Sequence, residues 1–175
     1  AFYGPKIDIN IKDAIGRSWQ CTTIQFDFNL PRRFNLSYVD QNSNKVHPYV
    51  IHRAIFGSLE RFFGVYIEHT ASNFPLWVAP TQIAILPITD RNTDYGKKVL
   101  DILGKNLYRT TLNSSSEKLG AKIRNTRLER IPYMIIVGDK EELEQKVQIR
   151  NRDGSEQITL PLEEVNNFFT QKMDG

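Results

Sequence analysis

Residues 50–64 read VIHRAIFGSLERFFG, and their pattern decides how the chain around them folds. The stretch begins β-branched and apolar, as a strand does, then breaks at Gly57 into helical spacing. Leu59, Phe62, Phe63 and Tyr66 recur at i, i+3, i+4 and i+7, the period of a helix face turned toward a core. At 100° per residue, Gly57, Arg61, Gly64 and Glu68 fall together on the opposite side. An arginine bracketed by glycines has no side chains crowding its guanidinium and is set to meet a ligand closely. The alternative is a plain solvated face with Arg61 near Glu68.

Upstream, residues 6–13 and 19–28 alternate apolar and polar positions, the mark of half-buried strands. In the second of these, Trp19, Cys21, Thr23 and Gln25 share one face, and Gln20, Thr22, Ile24, Phe26 and Phe28 the other. Pro31 ends that strand, residues 35–38 are short and extended, and 41–45 form a polar loop. A strand over 49–54 feeds a helix from Gly57 to about Ala71. The result is an antiparallel sheet with one helix, too small for a complete catalytic domain. Past residues 77–80 strands and helices alternate: strand 83–86, helix 93–105, strand 108–112, a basic helix capped by Ser116 and closed by Pro132, then strand 133–137. Strands 146–150 and 156–160 form a hairpin across Asp153-Gly154, and residues 162–172 form the last helix. The expected class is α/β within an α+β whole: residues 1–78 carry the antiparallel sheet, and 79–175 a three-layer α/β domain with a mixed sheet.

Composition fits that division. A chain of 175 residues, 40% hydrophobic and 25% charged, can bury ordinary cores in two small domains. A single cysteine, Cys21, excludes a disulfide framework within the chain. No apolar run reaches the roughly 18 residues of a membrane helix, and Ala1 opens inside a folded pattern rather than a cationic leader, so no membrane association and a cytoplasmic location are expected. The net charge of +3 is mild, but Lys118, Lys122, Arg124, Arg127 and Arg130 gather against Glu129 alone. Arg124, Arg127 and Arg130 share one broad side of the helix, a surface for RNA or simply for solvent.

Residues 50–64 resemble the third signature motif of class II aminoacyl-tRNA synthetases. Together with AFYGPKIDI at 1–9, SWQCTTIQFDFNLPRRF at 18–34 and IPYMIIVGDKE at 131–141, they resemble the threonyl-tRNA synthetase family from Ala1 to about Leu162. The family's first two motifs lie upstream of these residues, so the resemblance implies the C-terminal piece of a longer enzyme. That enzyme would join threonine to ATP, with Mg2+, and pass threonyl to tRNA(Thr), as a homodimer through upstream segments. The resemblance makes residues 1–78 the end of the catalytic domain and 79–175 the anticodon-binding domain.

It also implies roles for particular residues. Arg61 stands at the motif 3 arginine that binds ATP, a role suited to a planar cation that never loses its charge. Gly57 and Gly64 would leave room for the nucleotide. Tyr3 and Lys6 match residues facing the aminoacyl site, and Gln20, Thr23 and Gln25 match the strand lining the adenylate pocket; Arg61, Gln20 and Lys6 are the catalytic candidates. His52 matches a zinc ligand whose two partners lie upstream, whereas Cys21 aligns elsewhere. Zinc would bind the amino and hydroxyl groups of threonine, rejecting valine, which an apolar pocket separates poorly from its isostere. Glu117, Lys118, Arg124, Arg130, Glu141 and Arg150 match anticodon contacts. The chain departs from the family at Thr22, where glycine is usual, and at Ser115-Ser116, where relatives carry an arginine-asparagine pair. A prolyl, glycyl or histidyl sister enzyme and a non-catalytic RNA-binding module are the alternatives. An unrelated α/β enzyme lacks support, since no nucleophile–base pair or glycine-rich phosphate loop is evident.

Overall fold

The computed structural model describes residues 3–173, so Ala1 and Phe2 of the opening motif lie outside the described residues. The chain divides into two compact units, residues 1–71 and 72–175.

The first unit contains β1 (Lys6–Lys12), β2 (Ser18–Asp27), a one-turn helix α1 (Leu30–Arg33), β3 (Tyr38–Val39), β4 (Lys45–Val46), β5 (Val50–Ala54) and α2 (Leu59–Thr70). β2 is the central strand of an antiparallel sheet ordered β1-β2-β5, while β3 and β4 pair in a small hairpin. The register slips between Ile9 and Asn10, which face Thr22 and Gln20, so Cys21 is an extra residue in β2. Such a bulge re-aims the side chains on either side of it. α2 starts from Ser58, whose Oγ accepts the Arg61 N–H at 3.2 Å.

The apolar stripe of α2 is not covered as expected. Val65 is its buried residue, whereas Leu59 and Phe63 remain 59% and 45% exposed. Phe62 instead stacks between Phe56 and Tyr66, with centroids at 4.4 and 5.6 Å. Three strands and one long helix offer too little surface to bury all the apolar side chains they carry. Ile7, Ile9, Phe28 and Ile51 are exposed as well.

Polar contacts hold this unit together where apolar burial is thin. The Asp13 side chain, wholly buried, accepts hydrogen bonds from the backbone N–H groups of Ile15 and Arg17, from Arg17 Nε and, at 2.9 Å, from Trp19 Nε1. Burial pushes its carboxyl up, but the bonds from Trp19 and Arg17 outweigh that and hold it at about 2. A carboxyl depressed in the folded state contributes stability that is complete above its ordinary 3.8 and lost as pH falls toward about 2. Emission from Trp19 in a Trp77→Phe background should therefore report acid unfolding of this unit between about pH 4 and pH 2. Asp13→Asn should flatten that pH dependence and lower stability at neutral pH; an unchanged acid profile would overturn the assignment.

The second unit contains β6 (Ile83–Pro87), α3 (Thr93–Lys105), β7 (Thr110–Leu112), α4 (Leu119–Leu128), β8 (Tyr133–Val137), α5 (Asp139–Leu143), β9 (Lys146–Asn151), β10 (Gln157–Pro161) and α6 (Val165–Met173). Its mixed sheet is ordered β10-β9-β8-β6-β7, with β6, β7 and β8 parallel and β9 and β10 antiparallel. On one face Ile83, Ile85, Ile135, Val137 and Ile149 form a core with Val99 and Leu103 of α3 and Val165 and Phe169 of α6. On the other, Ala84, Leu86, Met134 and Ile136 pack with Leu119 and Ile123 of α4. Met134 faces Arg150, which faces Gln157; Ile136 faces Gln148, which faces Thr159. That second face therefore turns polar across β9 and β10. The three layers follow from these two faces.

Three expectations are corrected here. α4 is entered from Lys118, not capped by Ser116, because Ser115 is drawn to Asn113 Oδ1 by its N–H at 3.1 Å and its hydroxyl at 2.7 Å. α4 stops at Leu128, ahead of Pro132, as Arg130 turns into the left-handed region at φ 60°. The β9–β10 connection runs over 152–156 rather than through Asp153-Gly154 alone, since Asn151 Oδ1 accepts from the N–H groups of both Gly154 and Glu156. The short α5 leaves no signal in the sequence pattern, because five residues are too few to establish a helical period.

Candidate functional site

In the first unit the candidate residues lie along one face of the sheet. Gln25 faces Lys6 on β1 and His52 on β5, and Thr23 faces Asp8 and Ala54. Tyr3 continues the edge, its carbonyl accepting the Phe28 N–H at 3.2 Å. Gln20 was expected on the opposite face from Thr23. The bulge at Cys21 breaks the alternation, and Gln20 Nε2 donates to Thr23 Oγ1 at 2.9 Å.

Asp8 closes this polar cluster, a residue outside the set that the family resemblance supplies. Its carboxylate pairs with Lys6 Nζ at 2.7 Å and accepts from Gln20 Nε2 at 2.6 Å and Thr23 Oγ1 at 2.8 Å. The bonds from Lys6 and Thr23 hold its carboxyl below the usual range. The signal was present: Lys6 and Asp8 are two apart on a strand and must share a face.

Arg61 leaves the exposed side of α2 and donates from Nη1 to the Gln20 carbonyl at 2.9 Å, with its guanidinium 6.0 Å from the Trp19 ring. It does not pair with Glu68, which lies 3.8 Å from Arg17. The two glycines differ in purpose. A Cβ on Gly64 would meet nothing within 4 Å, which is open space beside Arg61's helix. A Cβ on Gly57 would fall 2.9 Å from the Cys21 carbonyl, and its φ is +70°, so Gly57 serves a close backbone approach rather than room for a ligand. Thr22, the departure from glycine, turns its hydroxyl onto the Ile55 carbonyl, which accommodates the β-branched residue.

His52 is half exposed, and its Nε2 lies 2.9 Å from Asp27 Oδ2. Asp27 is wholly buried and also accepts the N–H groups of Asn29 and Leu30. Burial pushes the Asp27 carboxyl up, yet hydrogen bonds from His52, Leu30 and Asn29 bring it down overall. An ionised Asp27 accepts a hydrogen bond from Nε2–H, which leaves the Nδ1 lone pair free, the arrangement that suits a metal-ligating imidazole. His52 thus fits as one ligand, but no three His, Cys, Asp or Glu side chains converge among the described residues.

In the second unit the six anticodon candidates do not form a single cluster. Glu117 and Lys118 lie at the start of α4, beyond the C-terminal end of β7. Glu117 Oε2 is 3.4 Å from both Ser115 Oγ and Asn125 Nδ2. Glu141 sits in the first turn of α5 after β8, where its Oε2 accepts the Gly138 N–H at 3.1 Å. Arg124 is exposed midway along α4. Arg130 and Arg150 lie toward the other end: Arg130 Nη1 donates to Asn73 at 3.2 Å, and Arg150 faces Met134. Lys122, counted with the basic stripe, is instead buried, donating to the Pro87 carbonyl at 2.9 Å and lying 3.4 Å from that of Asn113. It ties the C-terminal end of β6 to the loop after β7 and offers nothing to an outside ligand. No helix among the described residues is long and apolar enough to cross a membrane.

The description "Anticodon binding domain" belongs to the family model that matches residues 82–172, and "tRNA synthetase class II core domain (G, H, P, S and T)" to the one matching 1–70. The chain is 49% identical over 175 residues to threonine–tRNA ligase of Clostridium tetani, and 45% over 173 residues to that of Aquifex aeolicus. It is covered essentially throughout in both alignments, yet spans 27% of each relative's length. Among solved structures, the RNA binding domain of threonyl-tRNA synthetase from Cryptosporidium parvum superposes with a TM-score of 0.91 at 39% identity, covering 98% of this chain and 44% of that one.

Proposed function

The chain belongs to the anticodon binding domain family and carries part of a class II tRNA synthetase core, and on that premise we propose that it is the C-terminal region of a threonine–tRNA ligase. The observation that carries this reading furthest is the sheet face on which Lys6, Asp8, Gln20, Thr23, Gln25 and His52 meet, with Arg61 reaching over Gln20. Residues 1–78 are read as the end of the catalytic domain and 79–175 as the tRNA-reading domain.

In the first half-reaction a threonine carboxylate oxygen attacks the α-phosphorus of ATP and pyrophosphate leaves. Negative charge spreads over the phosphate oxygens as the new bond forms. Arg61 would hold those oxygens with fixed N–H donors, which act most strongly where water is excluded. Gln20, Thr23 and Gln25 would orient the adenylate through amide and hydroxyl groups. Tyr3 and Lys6 would face the aminoacyl end, Lys6 exchanging its partner Asp8 for substrate. In the second half-reaction a hydroxyl of the terminal tRNA ribose attacks the threonyl carbonyl and AMP leaves. His52, oriented by Asp27, would be one ligand of zinc, with the others outside this chain. When bound, zinc would supply a Lewis acid for the hydroxyl group that distinguishes threonine from valine.

α4 supplies the RNA track. Its ten residues span about 15 Å, the length of several nucleotides at the roughly 3.4 Å step of a stacked strand. Glu117, Lys118 and Glu141 mark one end, Arg130 and Arg150 the other, and Arg124 lies between. Glutamates can accept from base edges, and arginines can pair with them or with phosphates.

Two measurements test the proposal. The chain should bind a threonine anticodon stem-loop more tightly than one with altered second and third anticodon bases. Mixed alone with threonine, ATP and tRNA, it should not aminoacylate, because the motif 2 arginine and two zinc ligands are supplied elsewhere. Equal binding to both loops would favour a non-specific RNA-binding module, and robust aminoacylation would overturn the division of labour.

A further inference from the structure

We propose that Arg127 and Arg150 together hold one phosphodiester of the bound RNA, making Arg127 a contact outside the set that the family resemblance supplies. The inference rests on the tRNA-binding reading above.

The two side chains come from different elements, Arg127 from the last turn of α4 and Arg150 from β9. They converge over Gly154. A Cβ built there would fall 2.7 Å from Arg150 Nη2 and 2.9 Å from Arg127 Nη2, so both guanidinium tips crowd one point. Gly154 has φ +81° and no side chain, which lets both tips pack against its backbone side by side. Neither guanidinium makes a hydrogen bond or ion pair among the described residues, and the Nε atoms of both are buried without a partner.

Two like charges brought together with shielded, unpaired donors are unfavourable on their own. The surroundings add to the imbalance. Arg152 is close by in the β9–β10 connection, its Nη1 donating to the Arg130 carbonyl at 2.9 Å. Burial first, and then the nearby Arg130 charge, lower its pKa, and the Asp153 carboxylate only partly opposes them. None of Arg127, Arg130, Arg150 and Arg152 is ion-paired with a carboxylate among the described residues.

An anion bound between the tips would relieve the repulsion and satisfy the donors. A phosphodiester suits this place because its non-bridging oxygens can accept from two planar forks at once. The adjoining face of β9 and β10 is polar, with Gln148, Gln157 and Thr159, so a backbone arriving from the α4 track meets no apolar barrier.

The test uses this chain with a labelled threonine anticodon stem-loop and one with altered anticodon bases, titrated at several KCl concentrations. Arg127→Gln should weaken binding about tenfold to both loops, because a phosphate contact carries no base information. It should also make the slope of log K against log salt shallower by about 0.7. Arg127→Lys, which keeps the charge, should retain the slope. Wild-type binding with unchanged affinity or slope in Arg127→Gln would overturn the pair while leaving the tRNA reading intact. A loss confined to one loop sequence would also overturn the phosphate assignment, since it would mean that Arg127 reads a base. Slope lost equally in Arg127→Lys would overturn it too, and no wild-type binding to either loop would overturn both the pair and the reading it rests on.

Discussion

Under the proposed ligase function, replacing Arg61 with alanine in the full-length enzyme should lower threonine-dependent ATP–pyrophosphate exchange by about 10²–10³-fold, the usual effect of losing one fixed donor to a charge that develops in the transition state. The expectation comes from the side chain's setting. Arg61 is anchored by a single bond to the Gln20 carbonyl, lies beside Trp19, and is free of the acidic partner that sequence spacing offered in Glu68. One Nη is used for positioning, and the remaining donors of the fork are available for phosphate oxygens. Arg61→Lys should recover little, because an ammonium keeps the charge but not the planar pairing geometry. Binding of the anticodon stem-loop should be unaffected in the same variant. Exchange activity within threefold of wild type would remove Arg61 from the adenylate site.

The largest effect on stability is expected at Phe169. It is fully buried, with ring centroids at 5.9 Å from Tyr108, 5.4 Å from Tyr133 and 5.1 Å from Phe168. Phe169→Ala should cost the second unit about 3–5 kcal/mol, combining the lost transfer of the ring with the cavity left behind. The neighbours cannot collapse freely into that space. Tyr133 is fixed by its place in β8 and by a bond to Glu156, and Tyr108 is held against Thr170. Urea unfolding followed by near-ultraviolet circular dichroism would read this cost. A change below about 1 kcal/mol would mean that α6 is not part of the folding core of this unit.

Much of this architecture was legible because its signals are local. The β-branched runs at β6 and β8, the helical period of α3 and the turn residues after β7 each follow from a few neighbouring positions. Parallel pairing of β6, β7 and β8 follows from the alternation of strands with helices. The residues proposed for the site were chosen on another ground: they stand in linear patterns that resemble a family.

What the sequence missed required knowledge of partners distant along the chain. Lys122 reads as one more cation on a basic helix, yet it is buried because the backbone carbonyls of Pro87 and Asn113 receive it. Ser116 has the right chemistry for an N-cap, but Asn113 recruits its neighbour Ser115 and the helix starts later. The α2 stripe has the right period for a core face, yet period cannot tell whether a covering layer exists.

The sequence by itself determined the class of each unit, the order of their elements and the residue types available for binding, because propensity and periodicity act over a few residues. Only the tertiary structure decided which of those residues meet. One extra residue at Cys21 turned Gln20 toward Thr23 and Asp8, and a glycine at 154 let two arginines from separate elements converge. Register and backbone approach are set by packing across the whole sheet, and a one-residue slip moves every side chain beyond it to the other face.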